Sequence, residues 1–61
     1  MNTYMEAYIN STITYLESFK QSMRVAAMKI DGRIDSDEQK IINKADKITD
    51  KYIAELNKLI K

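Results

Sequence analysis

From Met5 to Ile30, apolar and small residues recur at alternating spacings of four and three: Met5, Ile9, Thr12, Leu16, Phe19, Met23, Ala26 and Ile30. Such a heptad seam marks a helix that packs along its whole length on a neighbour, as in a coiled coil. Tyr8, Ile13, Tyr15 and Ala27 widen the seam on both sides. A second stripe takes in Ile41, Ile42, Ala45, Ile48, Thr49, Tyr52, Ile53, Leu56, Leu59 and Ile60. Its adjacent apolar pairs (41/42, 52/53, 59/60) make it wider than a two-helix seam requires, and a face that wide wants two neighbours. The pattern predicts one all-α domain over 1–61, with a helix over about 3–30, a turn at 31–34 and a helix over about 35–60.

The turn holds the only glycine, Gly32, in a chain without proline. Glycine just past a helix end adopts the left-handed conformation at almost no cost, so Gly32 is the expected stop for the first helix. Asp35 is the expected cap of the second. Its oxygen can accept a free N–H of the first turn, and Glu38 follows at capping-box spacing. Ser36 with Gln39 offers the same arrangement one residue later. At the other end of the hairpin, Thr3 and Glu6 are read as the capping box of the first helix.

Asp31, Gly32, Ile34, Asp35 and Glu38 also match the second half of a calcium-binding EF-hand loop. The first half fails: Ala27 and Lys29 occupy the first and third ligand positions, where calcium needs oxygen donors and collects at least about 6 of them. The stretch is therefore read as a structural turn, and no metal or cofactor is expected.

A turn this short makes the helices antiparallel neighbours, an αα-hairpin. At 61 residues a lone chain buries too little apolar surface to be comfortably stable. The chain has no cysteine or histidine, so disulfides, thiolate metal sites and imidazole chemistry are excluded. Self-association is the remaining route. Two hairpins face to face, as an antiparallel four-helix bundle, bury both stripes. The expected dimer core is Ile9, Leu16, Phe19, Met23, Ile41, Ile48, Tyr52 and Leu56, with Ala26 and Ala45 marking layers of close backbone approach. A larger protein in place of the second copy is an open alternative.

The outer faces differ. Lys40, Lys44, Lys47, Lys51, Lys58 and Lys61 form a ridge opposite the second stripe, flanked by Asp46, Asp50 and Glu55. It reads as a solvated ridge or, with Lys29, as a nucleic-acid contact through Lys29, Lys40, Lys44, Lys47 and Lys51. No aromatic is interleaved with it for base stacking. The outward face of the first helix carries no charge at Ala7, Asn10, Thr14, Ser18, Gln21, Val25 and Met28. Charge is depleted where interfaces are buried, which suits Asn10, Thr14, Ser18, Gln21, Val25 and Met28 to a protein partner. Tyr4, Tyr8 and Tyr15 line one flank and are expected at the dimer edge with their hydroxyls in water.

Composition narrows the function further. A formal net charge of +1 does not describe a polycation. No run of about 18 apolar residues exists to span a bilayer, and the Met1-Asn2-Thr3 start has no basic or hydrophobic block of a secretory signal. A cytoplasmic protein of bacterial or phage origin is expected. Catalysis is not: no histidine activates the hydroxyls, and a thin bundle offers no deep pocket for a small-molecule substrate.

Asp35-Ser36-Asp37-Glu38-Gln39 resembles the Asp-x-Asp-Glu-Gln opening the second helix of Rop, the plasmid-encoded RNA-binding hairpin, and length and seam register are also similar. The resemblance implies a homodimeric four-helix bundle that binds paired RNA loops with the outward face of its first helix. Carried over along the seam, that face falls on Thr14, Ser18, Ser22 and Lys29. Only Lys29 keeps the family's residue type; Thr14, Ser18 and Ser22 stand where the family has asparagine, phenylalanine and glutamine, so the stacking aromatic is lost. The stretch from Ala26 to Glu38 also resembles the inter-helix turn of TerB-like helical proteins. Two functions follow as expectations: a small adaptor, inhibitor or immunity-type protein that docks a protein partner, and a Rop-like RNA-binding regulator. A purely structural assembly module is a third.

Overall fold

The computed structural model describes residues 1–60. Two helices, α1 (Thr3–Ala27) and α2 (Ser36–Leu59), pack side by side as a hairpin. Asn2, not Thr3, caps α1: its side-chain oxygen accepts the Met5 N–H at 2.8 Å. Thr3 already has helical geometry, so the cap falls one residue earlier than the Thr3/Glu6 pattern predicts.

At its far end α1 stops at Ala27, short of the expected 30. The backbone tightens there. The Met28 and Lys29 N–H groups reach carbonyls three residues back, Val25 and Ala26, each at 3.2 Å. The Gly32 N–H then closes on the Met28 carbonyl at 2.9 Å, with Gly32 at φ +74°. This is the left-handed stop expected of glycine. Ile30, placed in the seam by its spacing, lies in the turn and is 98% exposed. The second cap forms as the sequence indicates. Asp35 accepts the Glu38 N–H at 2.7 Å, and Glu38 accepts the Asp35 N–H at 3.0 Å.

The inner faces meet along Ile9, Ile13, Leu16, Met23 and Ala27 of α1 and Ile42, Ala45, Thr49, Ile53 and Leu56 of α2, with Ile60 just beyond it. Only Ile13, Ile42 and Thr49 of these are buried, Ile42 to 2% exposure; the others are half-buried. The molecule is a single layer, 46 × 17 × 9 Å across its Cα atoms. Its radius of gyration is 14.4 Å, against about 10–11 Å for a compact chain of this length. Its accessible surface is 5094 Å², against about 4,100 Å² for a compact folded chain of 7.1 kDa. Stable domains close at least two layers over a core. This hairpin supplies one.

The turn chemistry makes two stability predictions. A Cβ at Gly32 meets nothing within 4 Å, so Gly32→Ala carries only the left-handed backbone cost, about 1 kcal/mol. Asp35→Ala removes the cap and costs a similar amount, about 1 kcal/mol. Urea unfolding of each variant measures both; a Gly32→Ala protein as stable as the parent contradicts the first.

Candidate interaction surface

The two long edges of the hairpin are chemically opposite. Along one, charged side chains bridge the helices. Arg24 donates to both oxygens of Asp46, at 3.3 and 2.5 Å, and to the Lys20 carbonyl at 2.9 Å. One turn away, the Lys20 ammonium meets Asp50 at 2.5 Å. The spacing explains the match: Lys20/Arg24 and Asp46/Asp50 each stand one helical turn apart, and antiparallel helices bring the pairs together in reverse order. The bidentate Arg24–Asp46 pair is the more enclosed, with Asp46 at 21% side-chain exposure.

The other edge is apolar and open. Rotating away from the inner face of α1, the next residues are Met5, Thr12, Phe19 and Ala26, and then Tyr8, Tyr15 and Ser22. On α2 they are Ile41, Ile48 and Glu55 beside Tyr52 and Leu59. Both sets fall on the same side of the layer. A hollow of about 270 Å³ near the turn shows this directly, since it is lined by Met23, Ala26 and Ala27 from α1 and by Glu38, Ile41 and Ile42 from α2. Two more shallow hollows lie along this side. One is framed by Asn2, Tyr4, Met5, Tyr8 and Ile9, the other by Tyr52, Glu55, Leu56 and Leu59. Tyr8 is 80% exposed, Ile48 71% and Phe19 37%.

The seam read from sequence therefore divides. Its Ile9, Leu16 and Met23 lie half-buried against α2, as does Leu56 of α2 against α1. Phe19, Ile41, Ile48 and Tyr52, also assigned to the dimer core, stand exposed on the open side. The seam bisects the angle between the hairpin interface and the empty side, which is the direction of the axis of a bundle.

The uncharged face of α1 lies elsewhere, toward the ion-paired edge and the back. Asn10, Thr14, Ser18, Gln21, Val25 and Met28 are all exposed. The Thr14 hydroxyl donates to the Asn10 carbonyl at 3.1 Å. Lys40, Lys44, Lys47, Lys51 and Lys58 are exposed along the back of α2 and form no ion pair among the described residues. Asp46 and Asp50, which spacing sets among those lysines, turn instead to α1. Lys29 lies in the turn beyond α1, and Lys61 lies outside the described residues. The carboxylates of the EF-hand-like stretch serve the turn itself. Asp31 accepts the Arg33 N–H at 3.1 Å, while Asp35 and Glu38 form the cap. Among the described residues no group of three or more acids converges on a point. Among the described residues no helix is long and apolar enough to cross a membrane.

The chain matches no family model, no curated protein and no solved structure. The hairpin shape is consistent with the helical hairpin expected from the sequence, and no family or relative supports the resemblance to Rop or to TerB-like proteins.

The ion-paired edge has a pH signature. The hydrogen bond from Arg24, with its nearby positive charge, holds the Asp46 carboxyl below the usual carboxylate range. A depressed native pKa adds stability above the unfolded value, and that stability is lost as pH falls through the native value. The hydrogen bond to Asp50 raises the Lys20 ammonium; its contribution is full below the ordinary lysine range and is lost as pH rises through the native value. Asp46→Asn should therefore be less stable than the parent at neutral pH, with the gap closing as the solution is acidified below about pH 4. Thermal melts across that range check the sign. A gap that does not change with pH contradicts the pairing.

Proposed function

We propose that this chain is a non-enzymatic, cytoplasmic binding protein. It dimerises through its open apolar side into a four-helix bundle and offers the outward face of α1 to a protein partner, as an adaptor or inhibitor does. The observation that carries the dimer is the apolar side itself. The exposed surface exceeds that of a compact chain by about 1,000 Å², close to the roughly 800 Å² that each partner contributes to a standard stable interface. A second copy turns one layer into two.

The α1 face is a separate surface. It points away from the open side, so a bundle leaves it free on both copies. Val25 and Met28 are 53% and 46% exposed on a face otherwise made of Asn10, Thr14, Ser18 and Gln21, a composition that suits a buried contact better than a solvated one. RNA is the weaker reading. The α2 lysines form no ion pair among the described residues, but Tyr52, the aromatic of α2, stands on the open side, away from the ridge.

Val25→Lys with Met28→Lys places two charges on the α1 face without touching the open side. The double variant should keep the helicity and sedimentation of the parent while losing capture of the partner from an extract of the native host. Capture at parental yield contradicts the assignment of that face.

A further inference from the structure

We infer that the second copy docks with its turn at the same end as the first, so that α1 of each hairpin lies across from α2 of the other. The inference rests on the dimer reading above and adds its orientation.

Two face-to-face arrangements keep a two-fold axis. If the axis runs along the helices, the turns share an end and α1 faces α2 of the second copy. If the axis crosses the helices, the turns lie at opposite ends, α1 faces α1 and α2 faces α2. Both make neighbouring helices antiparallel, so the helix dipoles do not choose between them. The residues bordering the open side do. On α2, the row just beyond Ile41 and Ile48 is Asp37, Lys44, Lys51 and Lys58, at seven-residue intervals. On α1, the row just beyond Met5, Phe19 and Ala26 is Tyr8, Tyr15 and Ser22. Such flanking rows set the orientation of packed helices, because like charges brought into register repel.

Turns at opposite ends run α2 antiparallel along α2 of the other copy; with the helices centred on each other, Lys44 and Lys51 of the two copies come together in the middle and Asp37 meets Lys58 at the ends. Glu55, one turn from both Lys51 and Lys58, is the carboxylate nearest them on the open side, while Asp46 and Asp50 are held on the far edge by Arg24 and Lys20. Turns at the same end lay the lysine row along the tyrosine row, where ammonium groups meet ring faces and lysine stems cover aromatic surface.

The layers also fit. The ion pairs set the heights of the helices: Lys20 is level with Asp50, and Arg24 with Asp46. By the common rise of an α-helix, Tyr15 is then level with Glu55 and Ser22 with Ile48, while Thr12 and Phe19 stand within one residue's rise of Leu59 and Tyr52. An axis along the helices preserves height, so these pairs face each other across the dimer. Small Thr12 and Ser22 stand opposite large Leu59 and Ile48, Phe19 meets Tyr52, and Tyr15 stands at the height of Glu55, a carboxylate on the open side. Alternation of large and small across facing positions is what an interdigitated core requires.

The chain has no cysteine, so Arg33→Cys in the exposed turn gives one labelling site per copy. Sedimentation reads the oligomer, and the distance between nitroxide labels on the two turns reads the orientation. The inference predicts a dimer with a label distance under about half of the 46 Å hairpin length. A dimer with labels separated by nearly the full length overturns the orientation and leaves the dimer standing. A monomer, free or bound to vesicles of anionic phospholipid, overturns the dimer and this inference with it. Ile30→Cys, at the 98% exposed position of the same turn, repeats the measurement at a second site.

Discussion

The width of the two apolar stripes governs everything else about this molecule. A helix with one neighbour needs a narrow seam, and a helix with two needs a broad one. Both helices here carry the broad kind, yet the hairpin provides each with a single neighbour. Half of every stripe is satisfied by the turn that folds the chain back on itself. The rest stays in water, and each exposed apolar square ångström withholds about 25 cal/mol of stabilisation. For a small chain with no disulfide or histidine metal site, that open half is the largest source of stability still unused.

The ion-paired edge gives this surplus a direction. Exposed ion pairs contribute little to stability, and Lys20–Asp50 is of that sort. Their consequence is geometric. Charged groups close one side of the hairpin, so a second layer has one place to go. They also fix how far α2 slides along α1, which determines which residues share a height on the open side. In the proposed bundle the apolar stripes face the second layer, and the polar pairs lie on the side away from it.

Much of this was legible in the sequence, for identifiable reasons. Gly32 and the Asp35–Glu38 box announce the turn because few residues tolerate those backbone demands. The stripes announce the helices because 3.6-residue periodicity is hard to mimic. What remained hidden depends on rotation and height. Spacing placed Asp46 and Asp50 beside the lysines of their own helix, because the angular offset that turns them toward α1 is set only once the helices meet. The same offset divides the seam, leaving Phe19 and Ile48 outside and Ile13 within. Asn2 was missed as a cap because Thr3 and Glu6 imitate the motif one residue later. The identity of a protein partner has no local signature in an uncharged helix face.

The central claim is that the open side is completed by another copy of the chain. Thermal unfolding followed by circular dichroism, repeated from micromolar to millimolar protein, tests it most directly. A dimer that buries this side must melt at temperatures that rise steadily with concentration, since association is part of folding. A sharp, cooperative melt at one fixed temperature across the whole range would mean that the single hairpin is stable alone, and would contradict the account.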